Sequence, residues 1–145
     1  MIKTDKEYSE AKERLEKEFQ TIEGQKAKMK EAGMTKSQVK LATDPLLSFA
    51  FQLKEEVEEY EKLKRGDFAP IENLTGLGRS LVALRIFKGL KQKDLADRLG
   101  VSEAQVSRDE RNEYHGASIE RLQKVVEALN IKLTTEIELD FKDAM

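Results

Sequence analysis

Leu90-Lys91-Gln92-Lys93-Asp94-Leu95-Ala96-Asp97-Arg98-Leu99-Gly100-Val101-Ser102-Glu103-Ala104-Gln105-Val106-Ser107-Arg108 is the stretch around which the rest of the chain can be organised. Leu95, Ala96 and Leu99 fall on one face of a short helix that stops at Gly100. Ser102 is placed to cap a second short helix, its hydroxyl taking an orphan N–H one turn on. Two helices joined by a turn of about three residues containing glycine make a helix-turn-helix. Ala96 is small enough to let the second helix cross the first closely. Other helical hairpins share part of this spacing, so geometry alone leaves DNA binding as one reading among several.

Working outward, the stretch from Arg79 to Leu133 resembles the lambda-repressor-like, XRE-type helix-turn-helix family. The matching positions are Arg85, then Gln92-x-x-Leu95-Ala96, then Leu99-Gly100-Val101-Ser102, then Val106-Ser107-Arg108-x-Glu110. A closing helix from Ser118 carries Leu122, Val125, Val126 and Leu129. The resemblance implies a five-helix DNA-binding domain whose third helix, about 103–111, reads the major groove. It also implies that Arg85 is the partner of Glu110. The helical period agrees: with Val106 taken as buried, Glu110 lies within about 40° of it at about 100° per residue. An inward carboxylate is costly unless paired, so a structural Arg85–Glu110 ion pair is expected.

Ala104, Ser107, Arg108 and Arg111 then point outward. Arg108 is the best candidate for a bidentate guanine contact. Gln92, with the N–H groups of its helix, is expected at a backbone phosphate. Gln105, Arg111, Asn112 and Tyr114 are candidate backbone or groove contacts, and Ser102 and Glu103 stand at the tip of the reading helix. Glu103 is repelled by phosphate unless it accepts from a cytosine amino group. Two positions depart from the family pattern. Asp109 stands where an apolar residue is usual, and Glu113-Tyr114-His115-Gly116 replaces a short glycine-basic turn.

The front of the chain has a different texture. Tyr8, Leu15, Ile22 and Met29 recur every seven residues with Ala11 and Phe19 between them, which predicts a helix over about 4–32 stopped by Gly33. Asp44 and Pro45 read as the start of a second helix carrying Leu46, Leu53 and Tyr60, with Ala50 and Val57 between, to about Gly66. A connection of about ten residues would join them into a hairpin or dimerising arm. Glu55, Glu56, Glu58, Glu59 and Glu61 read as a solvated face. At the other end, Ile131, Leu133, Ile137, Leu139 and Phe141 alternate with polar residues, a period of two that predicts a half-buried strand needing a partner. The expected class is therefore mainly α, with N-terminal helices over 1–66 and a linker over 67–77. The helix-turn-helix domain spans 78–131, and one C-terminal strand lies within 132–145.

Composition narrows the function. The chain has 145 residues, 37% of them charged, with no cysteine and one histidine, His115. No disulfide and no thiolate or two-imidazole metal site can form, and no cofactor, metal or catalytic residue is expected. His115 reads as a loop residue or phosphate contact. No apolar run approaches the roughly 18 residues of a membrane span, and the N-terminus does not resemble a signal peptide, so a cytoplasmic location is expected. Residues 1–77 carry 14 basic and 16 acidic side chains, residues 78–132 carry 11 and 8. A net positive charge is thus confined to the block that would meet DNA.

The function expected is a sequence-specific repressor acting as a homodimer on double-stranded DNA. The alternative is an antitoxin that represses its own operon and neutralises an RNA-cleaving toxin. It rests on a similarity to host-inhibition-of-growth antitoxins in element order and in Glu58-Glu59-Tyr60-Glu61. There, or in a mobile-element repressor, the N-terminal helices would hold a toxin or a regulator. The remaining alternative is a protein-interaction module without DNA affinity.

Overall fold

The computed structural model describes residues 1–139. Among the described residues six helices follow one another: α1 Asp5–Glu31, α2 Lys36–Arg65, α3 Leu77–Phe87, α4 Gln92–Leu99, α5 Glu103–Arg111 and α6 Ile119–Ala128.

Helices α1 and α2 pair as an antiparallel hairpin along narrow seams. In α1, Asp5 and Glu7 lie in the first turn and Lys28 and Lys30 in the last, so both ends complement the helix dipole. Val39, Thr43, Ala50, Val57 and Tyr60 form the buried edge of α2. Ala50 and Thr43 are small, which keeps the two backbones close but leaves little apolar area in the seam.

Helix α2 begins earlier than its sequence suggests. Thr35 and Gln38 form a capping box, the Gln38 amide donating to the Thr35 hydroxyl at 3.3 Å and the Thr35 amide to Gln38 Oε1 at 2.9 Å. Asp44 is not a cap, and Pro45 lies inside the helix. An internal proline costs about 3 kcal/mol in an isolated helix. Here the helix is already started by the box and held by burial of Val39 and Thr43 on the preceding turns. The connection between the helices is accordingly short, Ala32 to Thr35, with Gly33 in the left-handed region.

The second block, α3 to α6, surrounds Leu81, Val82, Ile86, Leu95, Ala96, Val106, Val125, Val126 and Leu129. Burying each large apolar side chain contributes about 1.5–3 kcal/mol. Four helices build this block among the described residues, not the expected five. The exposed side of its core is closed by other parts of the chain: Ile2 from the N-terminus and Val57 and Tyr60 from α2 belong to the same buried cluster. Arg79 donates to Glu59 Oε1 at 2.5 Å and ties α3 to α2. Tyr8 and Tyr60 stack with ring centroids 4.9 Å apart, and their hydroxyls donate to Glu61 at 2.7 Å and Asp5 at 2.5 Å. The near end of the hairpin is therefore part of the second block's wall.

Residues 131–139 form no strand. Leu133, Ile137 and Leu139 are exposed, and no second strand is present among the described residues to take their backbone hydrogen bonds. The last residues of the alternating stretch, Asp140 and Phe141, lie outside the described residues.

Candidate nucleic-acid interface

Helix α4 ends at Gly100, whose φ of 69° is the left-handed conformation that releases the chain into the turn. The Val101 amide donates to the Ala96 carbonyl at 3.0 Å, and the Ser102 hydroxyl accepts from the Gln105 amide at 3.1 Å. These two bonds fix the angle between α4 and α5. Leu95 and Ala96 on one helix and Val106 on the other are fully buried in the crossing.

Beneath α5 lies the strongest polar contact of the block. Glu110 is 0% exposed and Arg85 2%. The Arg85 guanidinium grips both Glu110 oxygens, Nε on Oε1 and Nη2 on Oε2 at 2.9 Å. Two further donors go to the Leu90 carbonyl and the Lys3 carbonyl, each at 2.7 Å. Glu110 Oε2 also accepts from Gln92 Nε2 at 2.8 Å, and the Glu110 carbonyl accepts from Lys3 Nζ at 2.8 Å. A bidentate pair with further hydrogen bonds on both partners is the condition under which a buried ion pair can be tolerated. Among the described residues no buried side-chain nitrogen or oxygen is left without a partner. Burial holds Lys3 below the ordinary lysine range, although neighbouring Glu110 opposes the shift.

Two of the side chains selected from sequence are placed differently. The Gln92 amide does not reach outward with a free donor but is turned down onto Glu110. Its helix N-terminus remains, yet the side chain serves the ion pair first. Tyr114 is 6% exposed and packs in the core, so it does not offer its ring or hydroxyl to a groove. Burial pushes its phenol above the ordinary tyrosine range. The reason lies in the turn that departs from the family pattern. Glu113 and Tyr114 are both left-handed, with φ of 51° and 56°, and this swings the tyrosine inward under α3. Gly78 of α3 runs so close over this turn that a Cβ there would sit 1.8 Å from the Glu113 carbonyl oxygen.

The remaining candidates lie on one outward face. Glu103, Ala104, Arg108, Arg111 and Asn112 are exposed, and Gln105 and Ser107 are half-buried. Ser102 is exposed with its hydroxyl spent on the cap. Glu103 lies in the first turn of α5, where a carboxylate stabilises the helix dipole. Asn112 donates to the His115 carbonyl at 3.2 Å and steadies the following loop. Asp109, the unusual residue, accepts from Gln105 at 3.0 Å and pairs with Arg121 of α6. Arg121 carried no signal in the sequence, because its relation to Asp109 is made only by the packing of α6. Ile2 and Lys3, which complete the core and the ion pair, were equally silent.

The family model described as helix-turn-helix matches residues 81–135. These residues are a helix-turn-helix domain of the XRE kind. Neither a curated protein nor a solved structure matches the chain. The family is one of DNA-binding domains, and its match over residues 81–135 supports a DNA-binding transcriptional regulator of that kind. Among the described residues, no helix is long and apolar enough to cross a membrane. Nor is any group of three or more His, Cys, Asp or Glu side chains there placed to hold a metal ion.

Proposed function

We propose that this protein is a sequence-specific repressor that binds its operator as a homodimer, reading bases through the outward face of α5. The observation that carries this reading is the contrast between the two sides of that helix. Val106 and Glu110 anchor it with no exposure, while Ala104, Arg108, Arg111 and Asn112 stand together in solvent. A short helix fixed on one side and cationic on the other suits the major groove. Arg108 takes the base-reading role, with Ser107 beside it. Ser102, Gln105, Arg111, Asn112 and the N-terminus of α4 at Gln92 supply the surrounding contacts. Two such helices in a dimer place half-sites about 10 base pairs apart, or a multiple of that.

The test is selection of full-length protein on a random duplex library, followed by binding to the winning sequence across a range of salt. A motif with two half-sites at helical-turn spacing is expected. Arg108→Ala should cost about 1–3 kcal/mol of discrimination at one G·C pair and melt like the wild type. Failure to enrich any motif at low salt would overturn the reading in favour of an interaction module.

A second reading adds a protein partner, as in an antitoxin. It is favoured by the far end of the hairpin, where Leu41 is 80% exposed and Phe49 69%. Phe49, Leu46, Leu53 and Ile22 line a groove of about 710 Å³ between α1 and α2. The acidic Tyr-Glu stretch on which the resemblance to antitoxins rests is instead occupied within the chain, since Glu59 pairs with Arg79, Glu61 accepts from Tyr8 and Tyr60 is buried. A partner would therefore bind at the far end. Co-expression with the product of the adjacent reading frame, followed by co-purification that Phe49→Lys abolishes, tests this.

A further inference from the structure

Arg108 does not stand free in solvent. Its Nη2 donates to Gln105 Oε1 at 2.9 Å, and Gln105 Nε2 donates to Asp109 Oδ1 at 3.0 Å. The other Asp109 oxygen accepts from Arg121 Nη2, at the start of α6. An unbroken chain of hydrogen bonds thus runs from the closing helix across α5 to Arg108 on the reading face.

The polarity of this chain is set by its ends. An ionised carboxylate only accepts and a guanidinium only donates. Asp109 therefore turns the Gln105 amide so that its NH2 faces inward along the helix and its carbonyl faces Arg108. The carbonyl can then receive one N–H of the guanidinium and leave the other donors for a ligand. Without Asp109 the amide has no reason to choose that orientation, and reversed, its NH2 would face the Arg108 cation with no acceptor. Arg121 in turn holds the Asp109 carboxylate, whose side chain is only 19% exposed.

We propose that Arg121 and Asp109 are positioning residues for base reading, acting through Gln105 to pre-order Arg108. This rests on the reading of Arg108 as the base-contacting residue. A long, flexible side chain loses rotamer freedom when it docks on a base edge, and a side chain already held in place loses less. The same network makes Gln105 a support for the neighbouring arginine rather than an independent reader of adenine. It also accounts for an aspartate at a position where the family pattern has an apolar residue: the link to α6 is polar here instead of hydrophobic.

The experiment uses full-length protein and the duplex recovered by selection, together with a duplex altered at the G·C pair whose preference Arg108→Ala removes. The readout is the ratio of the two affinities. Arg121→Ala should lower this ratio about 3- to 10-fold, the cost of ordering one such side chain. In the Arg108→Ala background, Arg121→Ala should leave the ratio where Arg108→Ala put it. Loss of Arg121 as a mere phosphate contact or stability element would weaken both duplexes alike and leave the ratio untouched. Arg121→Lys, which restores a cation to Asp109, should recover part of the ratio, and Asp109→Asn, which removes the fixed polarity, should lower it. A wild-type ratio in Arg121→Ala overturns the positioning role while leaving Arg108 as the reader. An Arg108→Ala variant with an unchanged ratio removes Arg108 as the reader, and the positioning role falls with it.

Discussion

The helix-turn-helix block and the far end of the hairpin are both helical, yet they are held together by different means. In the block, α3, α5 and the N-terminus converge on one guanidinium and one carboxylate, and each hydrogen-bonding atom there has a stated partner. At the far end, two long helices meet along a seam whose centre is Thr43 and Ala50, and the large side chains Leu41 and Phe49 face water. The first arrangement fixes a surface in one geometry. The second keeps an elongated shape while leaving apolar area uncommitted. The proposed reading helix would use the first, and the proposed assembly with another chain would use the second.

The largest effect should come from breaking the pair at the centre of the block. Glu110→Ala or Arg85→Ala leaves one buried charge without its partner, a loss of about 3–5 kcal/mol, measurable in urea melts of the full chain. The double variant Arg85→Met/Glu110→Leu should lose less than the two single changes added together, because no charge remains buried. It should still fall short of wild type, since the Leu90 and Lys3 carbonyls would lose their donor. A single variant that melts like wild type would remove the distinction drawn between the two regions.

A smaller loss separates space from conformation at two neighbouring glycines. Gly78→Ala drives a methyl group into the Glu113 carbonyl, and displacing that turn also moves Tyr114 from the core. Overpacking of this sort costs about 1–3 kcal/mol. Gly76 has a φ of 88° but open space around its Cβ position, so Gly76→Ala carries only the left-handed penalty of about 1 kcal/mol. Thermal melts should rank the two in that order. Equal losses would mean that the turn yields and that its approach to α3 does not constrain the end of α5.

Much of the block was legible because its signals are local. Gly100 and Ser102 specify the turn by backbone and capping chemistry, and Glu110 is directed inward by its distance of one helical turn from Val106. What could not be read depends on contacts distant in sequence. Nothing near Asp109 names Arg121, twelve positions on, and nothing in Met1-Ile2-Lys3 tells that these residues close a core begun at Leu81. Tyr114 was misplaced because two non-glycine residues adopt left-handed φ angles, a choice that the sequence Glu-Tyr-His-Gly does not reveal. Pro45 misled for the opposite reason: a strong local signal for a helix start was overridden by the Thr35–Gln38 box upstream. The alternating pattern near the C-terminus finds no partner strand among the described residues, so its described part, 131–139, is not a strand.

A pH effect smaller than either glycine change should appear where hairpin and block join. Asp5 is held below the ordinary carboxylate range by the hydrogen bond from Tyr60, with Lys64, 3.3 Å away, acting in the same direction. A carboxyl group whose folded pKa is lowered adds stability that is complete above its unfolded value of 3.8. That stability is lost as the pH falls through the lower folded value. Wild-type stability should therefore decline more steeply than that of Asp5→Asn below about pH 4. The two should run parallel near pH 7, with the variant lower. Identical acid profiles would show that the Tyr60–Asp5 bond does not couple α1 to α2.

The smallest expected effect on folding is the one that best separates the regions. Leu41→Gln and Phe49→Gln alter side chains that are mostly in water, and surface changes of this kind stay within about ±0.5 kcal/mol. If the far end of the hairpin were merely a loosely packed core, truncating Phe49 would lower the melting temperature as a core change does. If it is an assembly surface, the dilute chain should melt unchanged while the concentration at which it self-associates, followed by sedimentation, should rise. The exposure of Phe49 beside Leu46 and the groove between the helices favours the second outcome. Large uncompensated apolar area on an otherwise highly charged rod reduces solubility unless something covers it. A loss of stability without a change in association would place Phe49 with the core and leave dimerisation to another surface.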